Sequence, residues 1–375
     1  MKKKLLFLIH ALNPAGAQRV LLELVNNLDF GHYDVTVQTI YDHGDLIQQL
    51  DSRIRYRSII RTQKPLLKRL LGVWLRRVKT PEYIYRHYVE DGYDYAVAFL
   101  EGESTRIISG CRNPKTQTIA WVHADFEKLF VCDKVFRSTE EHKKAYQSFD
   151  KIVCVSHGSK RGFMYRFGGD WGDKLVVKYN MIDGERIVAA SQEKATLPMP
   201  TDVFSIVSVG NLRKEKGYDR LLPICRRLAD EGYRFHLTII GGGSEYANVE
   251  KQLNELRLQD NVTMFGNQTN PYCYMKQADM LFLGSYSEAF NTVVIEAIML
   301  DVPPMVTQCS GMDEILDNGT YGIILPNTTE EIYEGLKRVL EDPSILDAYR
   351  ERLPERKAFF DKDNALNAIL ELFED

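Results

Sequence analysis

Among the 375 residues there is no C-x-x-C pair, no group of His and Cys at zinc-binding spacing, and no apolar run near the ~20 residues that a membrane-spanning helix needs. The first two absences exclude a zinc ribbon and a dithiol redox centre. The six cysteines, Cys111, Cys132, Cys154, Cys225, Cys273 and Cys309, are widely scattered, so a disulfide framework is not expected and a reducing cytoplasm is. Excess positive charge is missing too. Against 48 Lys and Arg stand 52 Asp and Glu, a formal net charge of -4, and nothing global favours nucleic acid as a partner. The opening Met1 to His10 carries only about six apolar residues in a row, short for a secretory leader, and reads as a buried first strand. What is present is 44% hydrophobic and 27% charged residues in a chain too long for one ordinary core. Two domains of a globular, enzyme-sized protein are expected.

Strand and helix signals alternate almost from end to end. Leu5 to Ile9 leads through Asn13-Pro14-Ala15-Gly16 into a helix near Gln18 to Leu28, then a strand Asp34 to Ile40. Further strands are expected at Tyr95 to Phe99, Thr118 to Val122 and Lys151 to Val155. A loose stretch from Ala189 to Pro200 interrupts the pattern, which restarts with Phe204 to Gly210, a helix near Tyr218 to Glu231, Phe235 to Ile240, Gly241-Gly242-Gly243, a helix to Leu256, Val262 to Phe265 and Met280 to Gly284. Apolar runs separated by helices argue for α/β architecture with parallel, doubly wound sheets. The expected division is 1–183 and 184–355, two Rossmann-like domains whose strand ends face one interdomain cleft, with 356–375 a terminal helix able to pack back on the first domain.

The densest chemistry lies from Ser285 to Leu300. Glu288 and Glu296 flank a turn that opens a helix, with Asn291 and Thr292 as cap candidates before the apolar Val293, Val294 and Ile295. A helix N-terminus facing a strand end offers N–H groups and a positive dipole to an anion, while the glutamates accept hydrogen bonds from hydroxyl groups. A phosphorylated sugar presents both. Arg213, Lys214 and Lys216 cluster where the strand ending at Gly210 gives way to a helix, and such cations suit a diphosphate. A solvated basic loop is the plainer alternative. Gly16-Ala17 forms a small-residue turn after the first strand, and His123 ends another.

A strand ending in Gly, a basic loop ending Lys216-Gly217, a Gly-rich turn, Phe265-Gly266 and finally Glu288-x7-Glu296 together resemble the retaining GT-B glycosyltransferases of family 4, the glycosyl transferases group 1, over essentially the whole chain. The resemblance implies a first domain that binds an acceptor and a second that binds a nucleoside-diphosphate sugar, UDP-linked by expectation. Carried over, Glu288 meets hydroxyls near the reacting carbon, Lys216 neutralises the leaving phosphate and His123 reaches the donor sugar. Glu296 would hold the ribose, and the amides of Phe290, Asn291 and Thr292 the diphosphate. Asn267 and Gln268 would lie near the base, and Gly16 and Ala17, as the glycine loop, would bind the donor, their backbone approaching the donor phosphate or the acceptor. Where the family has Arg directly after the strand's Gly, this chain has Asn211, so Arg213 is the candidate substitute. Ser156, Lys160 and Asn180 fit structural positions. The reaction implied is retaining transfer of a hexose to a saccharide acceptor, lipid-linked by expectation, in cell-surface polysaccharide synthesis. It requires neither metal nor cofactor, and the D-x-D of Asp361-Lys362-Asp363 lies in the charged tail, far from a strand end. A nucleotide-sugar 2-epimerase of the same fold would need further acid/base residues, and a non-catalytic partner subunit would be expected to lack Glu288, Glu296 or Lys216.

Residues 61–79 hold seven basic residues and no acidic one. On a helical wheel Leu66, Leu67, Leu70, Leu71, Trp74, Leu75 and Val78 share a broad arc, with Lys68, Arg69, Arg76 and Lys79 on the other and Arg77 the exception. That pattern fits a helix lying on an anionic membrane, hence peripheral attachment to the inner face of the plasma membrane. A core-packed helix with a basic solvent face fits it too.

Overall fold

The structure is a computed structural model that describes residues 2–127 and 135–374; Cys132 lies outside them. The chain divides into two compact units, 1–181 with 365–375, and 182–364.

In the first unit seven strands form one parallel sheet: β1 (Lys3–Ile9), β2 (Tyr33–Tyr41), β3 (Arg55–Ile60), β4 (Tyr95–Ala98), β5 (Gln117–Val122), β6 (Lys151–Cys154) and β7 (Leu175–Val177), ordered β3-β2-β1-β4-β5-β6-β7. The middle strand explains the sequence pattern. β1 pairs with β2 on one side, Leu5 opposite Val35, and with β4 on the other, Leu5 opposite Tyr95. Flanked on both edges and both faces, its last five residues are fully buried and therefore continuously apolar. The terminal segment belongs to this unit: Phe373 meets Phe7, Tyr33 and Tyr95 edge-on, and Lys3 Nζ donates to its carbonyl at 2.5 Å.

The second unit repeats the plan with six parallel strands, β8 (Phe204–Val209), β9 (Phe235–Ile240), β10 (Val262–Gly266), β11 (Met280–Leu283), β12 (Pro304–Thr307) and β13 (Ile323–Leu325), ordered β10-β9-β8-β11-β12-β13. In each sheet the chain first winds outward from the founding strand and then returns to its other side. The switch point lies between β1 and β4 in the first sheet, and between β8 and β11 in the second. Open α/β sheets bind ligands beyond the strand C-termini at this point, because the loops there diverge and leave a crevice.

Two local expectations change. The stretch from Ala189 is not loose from its start, because a helix capped by the Asp183 side chain runs Gly184–Ser191. The basic segment is not one amphipathic helix with all leucines on one side. A helix Pro65–Val73 continues as a π-helical turn, Trp74–Val78, closed by Lys79 N to Trp74 O at 3.2 Å. The wider turn rotates the later side chains. Leu75 is buried and Leu71 and Trp74 pack against the core, whereas Leu66, Leu67, Leu70, Val73 and Val78 are exposed. Arg76, expected on the solvent arc, turns inward to Glu103 at 2.6 Å. No helix among the described residues is long and apolar enough to cross a membrane.

Candidate active site

Strand β11 runs into a turn, residues 284–290, before the helix Thr292–Met299. Asn291 caps that helix from an extended backbone conformation, its side-chain oxygen accepting from Val293 N at 3.0 Å and satisfying one of the orphan donors. Its Nδ2 donates to Glu288 Oε1, also at 3.0 Å. Ser285 Oγ donates to the same oxygen at 2.7 Å, and Lys216 Nζ at 2.5 Å. With these three donors on Oε1, the carboxylate is held in one orientation. Lys216 and Glu288 are only 20% and 14% exposed, so water screens the pair weakly and loss of either partner strands a charge.

The approach of the two loops depends on a glycine. Gly217 has φ 71°, and a Cβ there would lie 2.1 Å from the Gly284 carbonyl oxygen. No side chain fits, and Lys216 is thereby brought alongside the turn.

The turn is held from behind by residues that nothing in the sequence singled out. Ser285 O accepts from Thr307 Oγ1 at 2.6 Å, Asn327 Nδ2 at 3.1 Å, an Arg220 guanidinium nitrogen at 3.2 Å and Cys309 Sγ at 3.3 Å. Arg220 also donates to Gly284 O at 2.7 Å and lies 4.0 Å from the centre of the Tyr286 ring. These groups come from the end of β12 and the loop that follows it, the loop after β13 and one helix face, so only the assembled sheet brings them together.

Other candidates are more dispersed. Arg213 is exposed and lies 3.7 Å from Glu215, and Lys214 is exposed; of the three cations only Lys216 reaches Glu288. Asn211 Oδ1 is buried with no partner among the described residues. Asn267 is exposed, whereas Gln268 donates to Phe265 O at 2.8 Å and receives Tyr274 OH at 3.4 Å. Phe290 is buried against Phe360, while Thr292 and Glu296 are half-buried on the helix behind the turn.

In the first unit, Gly16 and Ala17 open the helix Gly16–Asn26, which has no side-chain cap; open space surrounds Gly16. His123 follows β5, its ring 5.0 Å from that of Phe99 and its Nε2 buried without a partner among the described residues. Burial lowers its pKa to about 3, so it stays neutral near pH 7. The backbone N–H groups of His123 and Ala124 both donate to Glu101 Oε1. Burial pushes that carboxyl up to about 7 against the opposing effect of those donors. Ser156 caps its helix and Lys160 donates to Leu175 O at 2.9 Å, both structural roles, while Asn180 is buried. Among the described residues no group of three or more His, Cys, Asp or Glu is placed to hold a metal ion.

Residues 190–357 match the family of glycosyl transferases group 1. The N-acetylgalactosamine-N,N'-diacetylbacillosaminyl-diphospho-undecaprenol 4-alpha-N-acetylgalactosaminyltransferase of Campylobacter jejuni is 28% identical over 72% of this chain and 70% of its own. The capsular polysaccharide biosynthesis glycosyltransferase CapM of Staphylococcus aureus is 25% identical over 52% of this chain and 48% of its own. The fold is shared with Anabaena HepE, solved with UDP and glucose, at a TM-score of 0.72 and 16% identity over 99% of both chains. From the match over the second unit, the named relatives and the two parallel sheets together, the chain is a glycosyltransferase of the GT-B fold whose residues 190–357 match the glycosyl transferases group 1.

Proposed function

We propose that the protein moves a hexose, with retention at the anomeric carbon, from a UDP-sugar to a saccharide carried on a lipid, as a step in building a cell-surface polysaccharide. The observation that carries this is the Lys216–Glu288 pair set against the capped end of the helix Thr292–Met299 at the second switch point. In this reading Oε2 of Glu288 accepts from a sugar hydroxyl beside the reacting carbon. Lys216 and the N–H groups at Phe290, Asn291 and Thr292 meet the diphosphate, and their fixed charge and dipoles offset the negative charge that grows on the leaving group. Glu296 takes the ribose hydroxyls, Asn267 and Gln268 lie by the base, and Arg213 approaches the phosphates from the exposed side of its loop. The first unit receives the acceptor, with Gly16 and Ala17 at its loop and neutral His123 donating to or accepting from a sugar hydroxyl. Support for UDP and for a lipid-linked acceptor comes from the relatives: HepE is solved with UDP, and the Campylobacter enzyme is named for a diphospho-undecaprenol-linked saccharide.

Membrane attachment belongs to the same reading. Exposed Leu66, Leu67 and Leu70 beside Lys64, Arg69 and Arg77 present apolar insertion and cationic attraction on one surface, the combination that holds a helix at an anionic bilayer. The decisive experiment incubates purified protein with UDP-glucose, UDP-galactose, UDP-N-acetylglucosamine or UDP-N-acetylgalactosamine and a bacterial lipid extract. Nucleotide release and the anomeric configuration of the product are followed. Acceptor-dependent UDP release with an α-linked product is expected from these α-configured donors; a β-linked product would overturn retention, and release that ignores acceptor would overturn the acceptor assignment.

A further inference from the structure

The two sheets have the same winding, so the loops after their returning strands align position by position. Glu288 stands five residues past the end of β11 at Leu283; five residues past the end of β4 at Ala98 stands Glu103. Across the second switch point the partner of Glu288 comes from the loop after β8, and it is Lys216. Across the first, the partner of Glu103 comes directly after β1, and it is His10, whose Nδ1 lies 2.8 Å from Glu103 Oε2. The crevice where an open sheet of this kind takes its ligand is therefore lined in the first unit by a histidine and a carboxylate.

The geometry selects one tautomer. Glu103 is 8% exposed, and its other oxygen receives Arg76 at 2.6 Å and Tyr41 OH at 3.5 Å. Against the opposing effect of burial, the hydrogen bonds and charges of His10 and then Arg76 hold its pKa below the ordinary carboxylate value, so it is ionised. In the neutral form of the ring, an ionised carboxylate accepts the Nδ1–H, and the lone pair then lies on Nε2. The His10 ring is 45% exposed and rests beside the Tyr41 ring, 4.7 Å away between centroids, so Nε2 is accessible to a ligand. A buried carboxylate orienting a half-exposed imidazole at a strand end is the arrangement that accepts a proton from a hydroxyl.

We infer that the first switch-point crevice is the acceptor site and that His10 Nε2 accepts the hydrogen bond, and then the proton, of the saccharide hydroxyl that is glycosylated. In that step the bond between the acceptor oxygen and the anomeric carbon forms while the bond from that carbon to the diphosphate breaks. The electron pair leaves on the diphosphate, the hydroxyl proton passes to Nε2, and the imidazolium rests against Glu103. The inference depends on the transferase reading proposed for this chain. It also ties the acceptor site to the basic segment, because Arg76, which fixes Glu103, belongs to it.

The test uses the full chain with the UDP-sugar and lipid extract that give turnover. His10→Ala should lower acceptor-dependent kcat by about 10²- to 10⁴-fold, the usual loss of a proton-accepting side chain, with UDP affinity by calorimetry unchanged. Added imidazole should restore part of the rate. Glu103→Gln, which keeps the shape but removes the charge that selects the tautomer, should cost less than His10→Ala; should it fail to fold, His10→Ala and its imidazole rescue decide alone. Transfer by His10→Ala within about threefold of wild type would overturn the role of His10 and leave the transferase reading standing. A wild type that binds UDP yet transfers to no saccharide would remove both.

Discussion

Glu288 and Glu103 occupy the same place in two copies of one winding, yet their surroundings prepare them for different ligands. Glu288 has one cation, Lys216, together with a serine hydroxyl and an amide, and it sits beside helix N–H groups. In the proposed reaction that cation and dipole meet the diphosphate. Glu103 has Arg76 and a phenol, which satisfy its charge, and a histidine whose exposed nitrogen accepts a hydrogen bond. A neutral hydroxyl group suits that second setting and a diphosphate does not. The fold supplies a carboxylate position at each switch point, and the residue opposite it differs, a lysine in the second unit and a histidine in the first.

The largest effect is expected at the second switch point. Glu288→Ala and Lys216→Ala should each lower transfer by about 10³-fold or more, roughly 4 kcal/mol of transition-state stabilisation, since each removal leaves a weakly screened charge as well as an empty contact. Near-normal turnover of either variant, with an unchanged melting temperature, would dissolve the contrast between the two carboxylates. Arg220→Met comes next. It withdraws a guanidinium from the Gly284 and Ser285 carbonyls and loosens the turn, at a cost of about 2 to 4 kcal/mol in unfolding free energy and a fall in kcat larger than any change in the KM for acceptor. Urea denaturation curves that superimpose on those of wild type would show that the other donors to Ser285 suffice.

A third test concerns the basic segment. Because Arg76 is committed to Glu103, the informative reversals are Arg69→Glu and Arg77→Glu, both exposed. At about 1 kcal/mol per basic residue near an anionic surface, the pair should weaken co-sedimentation with phosphatidylglycerol vesicles by tenfold or more at low salt. Unchanged pelleting would leave the exposed leucines without a lipid role. The smallest effect is on stability against pH. His142 is buried among Phe136, Phe126 and Tyr146, and burial lowers its pKa to about 3. A histidine that titrates near 6.5 when unfolded then takes up a proton on unfolding between pH 6.5 and 3, so its contribution is intact above 6.5 and lost as pH falls. His123 acts in the same direction, while Glu101, pushed up to about 7, lowers stability as pH rises from the ordinary carboxylate range. His142→Phe should therefore narrow the drop in unfolding free energy between pH 7 and 5 by about 1 to 2 kcal/mol; an identical drop in both proteins would show that His142 is not the titrating group.

The alternating strands were legible because each central strand is buried on both faces and so is continuously apolar. β3 left no comparable trace: it is an edge strand, only half-buried along Tyr56 to Ile59, and its residues read as an ordinary polar segment. β13 was missed because three residues are too few to show a period, and β12, although as long as β11, opens on Pro304, a residue that argues against a strand. At the site, Glu288, Asn291 and Lys216 were legible from a turn before a helix and a Lys-Gly loop. His10 and Glu103 were not singled out, although the five-residue offset after β4 and β11 would have revealed Glu103 once the two halves were laid side by side. Arg220, Thr307, Cys309 and Asn327 carried no signal, since a donor to a distant carbonyl has no local pattern.

The sequence by itself determined the alternating architecture, the helix start with Asn291 as a cap candidate and the Lys216-Gly217 loop, because periodicity, capping and turn-forming residues are local properties. Only the tertiary structure decided which charges meet: Arg76 turned inward where a wheel pointed it outward, Arg213 stayed in solvent while Lys216 reached Glu288, and His10 found Glu103 across 93 residues of chain. Long side chains at strand ends are free to point several ways, and the neighbouring loop that gives them a partner comes from elsewhere in the sequence.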